Sequence, residues 1–182
     1  KRVVAHTDVL MTKVRFEENV LGNFVTDAFR NITKSNIAIV QLGLLRSQWK
    51  PGDILVQDVY EMFPFEDEIT TWEMTGKEVK RMISDIQTGK KALYQTSGLS
   101  FRMKIEPNEV LDVKLFGGKE LNENDNYTVA GVYFLIPKGG DDFSKVVEWY
   151  VPRGVKKHGS IRQGLFKYLE SVGNIKAANY LD

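Results

Sequence analysis

Asp141 follows two glycines, Gly139 and Gly140, just beyond a stretch that carries Tyr133 and Phe134. Glycines let the backbone bend sharply there and bring the carboxylate beside an aromatic ring. A carboxylate accepts both hydroxyls of a ribose, and an aromatic face stacks on a base for roughly 1–3 kcal/mol. The pairing therefore suits a nucleoside; it equally suits a glycine turn over a core aromatic. Phe63-Pro64-Phe65 is a second aromatic pair, in which proline restricts the residue ahead of it and fixes how the rings point. Those rings form either a clamp or part of a core that Met62 and Ile69 continue. Arg46, in the short loop after the apolar run Ile37 to Val40, can meet a phosphate bidentately or stand as an exposed loop arginine.

Other chemistries are excluded. A two-metal hydrolase needs several clustered His, Asp and Asn ligands, and the sequence has two histidines, His6 and His158, both expected to be solvated. Cysteine is absent, so thiol nucleophiles and thiolate metal sites are impossible. Neither a G-x-S-x-G elbow nor a G-x-x-x-x-G-K-[ST] or G-x-G-x-x-G loop occurs. Asp141-Asp142 are adjacent and diverge, and the run Asn122 to Asn126 lacks the glycine and closing Glu of a calcium loop. The 25 basic and 24 acidic residues are spread along the chain and leave a net charge of +1, so nucleic acid is not expected as a partner. Apolar runs such as Val132 to Ile136 fall far short of the roughly 20 residues that span a bilayer.

The elements that must hold these residues fit one domain: 182 residues, 42% of them apolar. Leu21, Phe24, Val25, Ala28 and Phe29 have helical spacing behind an Asn19 cap. Ile37 to Val40 and Ile54 to Val56 read as strands around a Pro51-Gly52-Asp53 turn, followed by a helical turn near Asp58 to Met62. Ile69 to Met74 reads as a strand, and Thr75-Gly76-Lys77-Glu78 as a capping box for a helix that buries Val79, Met82, Ile83 and Ile86. Strands are predicted at Leu99 to Ile105, Val110 to Phe116 and Tyr127 to Leu135, with a hairpin at Gly117-Gly118. Ser160 to Gln163 repeats the capping-box pattern before a helix carrying Ile161, Leu165, Leu169 and Val172. Irregular interleaving of helices and strands predicts an α+β fold, a mixed sheet covered by helices.

The segments LGNFVTDAFR (21–30), DVYEMFPFEDEI (58–69), Gln95-Thr96-Ser97-Gly98-Leu99 and GGDDF (139–143) occur in this order. Together they resemble the C-terminal, substrate-binding domain of the 5'-nucleotidase / UDP-sugar hydrolase family, from about Arg15 to Leu169. The resemblance implies residues 15–182 as that domain and residues 1–14 as a linker from an N-terminal metallophosphoesterase domain, in cis or as a separate chain. It implies that two divalent metals and phosphoester hydrolysis belong to that other domain, while this one holds no cofactor, is inactive alone, and grips a nucleoside or nucleotide. Phe65 and Phe134 match the base-stacking rings, with Tyr133 the alternative to Phe134; Asp141 matches the ribose-binding carboxylate, with Gly140 beside it. Arg46 matches the arginine closing the family's N-G-G-x-I-R loop, and Gln41 takes the place of its Asn.

Departures are concentrated in that loop, which reads Gln41-Leu42-Gly43-Leu44-Leu45-Arg46, and its leucines are expected to crowd the pocket. Glu17 stands where many members have an arginine, with Arg15 two residues upstream. These departures motivate the alternative, a non-catalytic structural or protein-interaction module with a degraded site. The start at Lys1 suggests a longer native polypeptide, and family habit suggests an extracytoplasmic location.

Overall fold

A computed structural model describes residues 2–14, 19–88, 94–104, 106–107, 109–139 and 141–180, and for Pro137, Lys138, Asp141 and Ala177 the backbone alone. In chain order its elements are β1 (Val3–Thr7), α1 (Val20–Thr33), β2 (Ile37–Gln41), β3 (Gly52–Leu55), α2 (Val56–Met62), β4 (Glu68–Thr75), α3 (Gly76–Gln87) and β5 (Tyr94–Ser97). There follow β6 (Leu99–Lys104), β7 (Glu109–Leu115), β8 (Asn126–Val132), α4 (Leu135–Lys138), α5 (Ser144–Trp149), β9 (Arg153–Ser160), α6 (Ile161–Val172) and β10 (Asn174–Ile175). The fold is α+β, as the sequence predicts.

A five-stranded sheet of order β5-β2-β8-β4-β9 forms the wall of the molecule, with β2 and β8 parallel and the other pairs antiparallel. Every residue of β2 is buried, because apolar side chains leave both faces. Ile37 and Ile39 enter one apolar cluster and Ala38 and Val40 the other, the period of two that a strand imposes. Helices α1 and α6 cover the Ala38 side; α3 and α5 cover the Ile37 side. On α1 the five predicted core residues are fully buried, each contributing roughly 1.5–3 kcal/mol if large and apolar. Its Asn19 cap is extended (φ −144°, ψ 147°) and accepts the Gly22 N–H at 2.9 Å. Thr75 and Glu78 form the predicted capping box on α3.

Four expectations need correction. Residues 1–14, read as a linker, contain β1, which lies between β3 and β10 and buries Val4 and Ala5. Ser160 makes no side-chain cap; the Ile161 N–H instead donates to the Asp67 carbonyl at 3.1 Å. The strand expected to run through Leu135 stops at Val132, so Tyr133 and Phe134 lie on a turn before α4. Of the leucines expected to crowd the pocket, Leu42 and Leu45 turn inward instead, 1% and 0% exposed in the core, and Leu44 packs half-buried against it.

Candidate functional site

The sheet's register brings separate loops to one end. Ile69 pairs with Val132, so the segment 63–67 that precedes β4 and the turn 133–134 that follows β8 leave the sheet side by side. The Tyr133 N–H donates to the Glu68 carbonyl at 3.0 Å and closes that end. β2 runs parallel to β8, with Ala38 opposite Ala130, so Gln41 and the loop to Arg46 emerge at the same edge. Ligands of open sheets with parallel strands gather at such carboxyl ends.

Phe65 is half-buried, and its ring meets the fully buried Phe63 edge-on, 5.7 Å between centroids at 80°. The exposed Arg46 places its guanidinium carbon 5.0 Å from the Phe65 centroid, a cation over a ring face, while its backbone N–H donates to the Met62 carbonyl at 2.7 Å. The 3-10 turn Leu42–Leu44 between Gln41 and Arg46 is anchored by Leu42 and Leu45, which is how a leucine-rich loop still delivers its arginine outward. Gln41 itself is buried, and its side chain folds back beneath Gly43.

On the other loop Phe134 is 38% exposed. Tyr133 is half-buried and carries the Lys157 ammonium 4.1 Å from its centroid. Glu68 pairs with that ammonium at 2.5 Å and raises its pKa above the ordinary lysine range. Gly139 caps α4 with φ 57°, and an added Cβ would lie 2.7 Å from Val147, so glycine is required there. Asp141 opens a 3-10 turn, Asp141–Phe143, whose Phe143 is buried in the core. Gly140, Arg15 and Glu17 lie outside the described residues.

Two residues near these rings gave no signal in the sequence. Lys157 belongs to an exposed strand without apolar alternation, and Arg162 sits in what reads as a helix-capping pattern. The Arg162 side chain is 14% exposed and donates to the Pro64 and Phe65 carbonyls at 3.2 and 3.0 Å. A shallow depression elsewhere, between α2 and α6, is lined by Arg2, Tyr60, Phe166 and Glu170 and is apart from these loops.

The motif segments near α1 have a structural task. Gln95 accepts the Asn19 N–H at 3.1 Å, Ser97 donates to Asp27, and Arg30 donates to Ser97 at 3.1 Å, so the Leu-Gly-Asn and Q-x-S-G segments lock α1 onto β5. Among the described residues no group of three or more His, Cys, Asp or Glu side chains is arranged to hold a metal. His6 has Asp53 and Asp8 on opposite ring nitrogens, at 3.1 and 3.4 Å, so the three cannot converge on one ion. His158 bonds the Thr71 hydroxyl at 2.9 Å, and burial, then Lys156, pushes its pKa below the ordinary value.

A mixed sheet covered by helices on both faces, with aromatic-bearing loops leaving it at one end, is the architecture that holds these residues. The chain belongs to the family "5'-nucleotidase, C-terminal domain", whose pattern it matches over residues 3–148, β1 included. It is 31% identical over 164 residues to the trifunctional nucleotide phosphoesterase protein YfkN of Bacillus subtilis, covering 80% of this chain and 11% of that protein. It is 29% identical over 140 residues to the 5'-nucleotidase of Vibrio parahaemolyticus, covering 73% of this chain and 24% of that protein. The structure of a 5'-nucleotidase precursor from Thermus thermophilus superposes with a TM-score of 0.83 at 21% identity, covering 96% of this chain and 38% of that one, a likeness of fold. The chain thus spans a small part of the length of these curated relatives. No helix among the described residues is long and apolar enough to cross a membrane.

Proposed function

We propose that this chain is the nucleoside- or nucleotide-binding specificity domain of a 5'-nucleotidase-like phosphoester hydrolase. Substrate is presented to a two-metal catalytic domain that lies outside the chain, and the whole protein works outside the cytoplasm. The observation that carries this reading is the arrival of two partly exposed aromatic loops, Phe65 and Tyr133-Phe134, at one edge of the sheet. A flat heterocycle stacks on Phe65 with Phe134 as the second ring, and Tyr133, which carries the Lys157 ammonium, is the alternative to Phe134. Asp141 accepts the ribose hydroxyls beside Gly140. Arg46 meets the phosphate, and Gln41 supports the turn that carries it. The metals and the hydrolytic step belong to the other domain, so the isolated chain has no phosphoesterase activity of its own.

Titration calorimetry of this chain with a panel of nucleosides tests the proposal. Binding at millimolar concentration or tighter is expected, with Phe65→Ala weakening it on the order of 10-fold, the loss of one stacking contact. Asp141→Ala is expected to weaken nucleosides while sparing free bases. No heat from any nucleoside overturns the proposal and favours a structural or protein-interaction module.

A further inference from the structure

We infer that Arg162 is a positioning residue that sets the direction of the Phe65 ring and so the fit of the aromatic slot; this rests on the reading of Phe65 as a stacking ring. The environment of Arg162 is unusual for a charged helix residue. Its side chain is 14% exposed, yet its carboxylate partner among the described residues, Glu66, is 92% exposed and 3.5 Å away. An ion pair so solvated and so long contributes little. The close partners are two consecutive carbonyls of one loop, Pro64 at 3.2 Å and Phe65 at 3.0 Å, both taken by the same guanidinium nitrogen.

The loop needs such a donor. Pro64 has no N–H, so segment 63–66 has one fewer internal donor with which to satisfy its own carbonyls. A guanidinium supplies several donors in a rigid plane, and that plane also packs on Tyr60, with its central carbon 4.7 Å from the ring centroid. The first turn of α6 grips the loop twice, because the Ile161 N–H takes the Asp67 carbonyl at 3.1 Å. Phe65 is therefore bounded by Phe63 at its edge, Arg46 over a face, and Arg162 on its own carbonyl. Of these three, Arg162 alone comes from a separate helix and touches the Phe65 backbone instead of its ring.

A double-mutant cycle with hydrogen exchange tests the inference. Adenosine and uridine are titrated into the wild-type chain, Arg162→Ala, Arg162→Lys, Phe65→Ala and the Phe65→Ala/Arg162→Ala pair, while exchange is followed at the amides of Ile161 and Glu68, which donate to the carbonyl and the carboxylate of Asp67 in the loop. The Arg162→Ala change is expected to weaken binding on the order of 10-fold in the wild-type background and to have no further effect once Phe65 is gone, the signature of coupled residues. Arg162→Lys keeps the charge without the plane and is expected to recover little. Exchange at these two amides should quicken in both Arg162 variants while β2 stays protected. Equal losses in both backgrounds, full rescue by lysine, or unchanged loop exchange would overturn the inference. A wild-type chain that binds neither nucleoside overturns the slot; faster loop exchange then still supports the clamp, and unchanged exchange overturns it as well.

Discussion

Phe65 has two faces and one is already taken. Arg46 lies 5.0 Å above the ring centroid, so a heterocycle either uses the opposite face or moves the guanidinium aside. In both cases the proposed role of Arg46 keeps the cation near an anionic group on the ligand. The Arg46→Ala variant should therefore separate ligands by charge. Binding of a nucleoside monophosphate is expected to fall on the order of 10-fold, the loss of a charge-assisted hydrogen bond. The bare nucleoside should change by no more than about two- to fivefold, since cation–π contacts at exposed sites contribute only about 0.5–1 kcal/mol. Calorimetric titration of both ligands checks this, and an equal loss for both would show that Arg46 merely shapes the loop. Aromatic, glycine and acidic residues were legible as candidates in the sequence because their chemistry is local. Arg162 and Lys157 were not, since each acts on a loop that lies close only after folding.

At the level of elements, the strongly periodic segments α1, α3 and α6 and the buried strand β2 emerge where their patterns predict them. β9 was illegible for a physical reason: it is an exposed edge strand, held by pairing with β4 and by ion pairs, and it carries no apolar alternation. Arg153 at its start binds Glu78 in α3 through two contacts, 3.0 and 2.5 Å, and this pairing is the main reason the Glu78 carboxyl falls from 4.5 to about 2. The folded state then binds fewer protons than the unfolded state between those values. The stabilisation is complete above the unfolded pKa and is lost as pH falls through 4.5 towards about 2. Arg153→Met should lower the melting temperature near neutral pH, and the gap from wild type should narrow steadily in acid; a gap independent of pH would contradict the assignment.

Helix α1 gives a second test at this scale. A Cβ on Gly22 would lie 2.3 Å from Gln95 Cγ, and Gln95 is held by the Asn19 N–H. Alanine gains about 1 kcal/mol of helix propensity over glycine, while overpacking costs about 1–3 kcal/mol. Gly22→Ala is thus expected to destabilise the chain by about 1 kcal/mol, read as a lower melting temperature, and a rise would mean that Gln95 yields freely.

Across the whole molecule, two apolar cores on either side of one sheet hold a set of loops at a single edge. The sequence alone made the fold class legible, because four collinear motifs spread over the chain constrain one topology. The division of labour between motifs was less visible: the segments at the start of α1 and at Q-x-S-G dock α1 on β5, whereas Phe-Pro-Phe leads into β4 at the end where the Tyr133-Phe134 turn leaves β8. β1 was missed because a short strand completed by distant partners, β3 and β10, has no local signature.

The central claim is that the loop edge binds a heterocycle between aromatic rings, and ring-selective NMR tests it most directly. With phenylalanine and tyrosine side chains isotope-labelled, adenosine is titrated into the chain. The expected result is saturable shifts at Phe65 and at Phe134 or Tyr133, with the buried rings of Phe24 and Phe29 unmoved. Rings at the loop edge that keep their shifts to saturating ligand, or shifts confined to other aromatics, would contradict it.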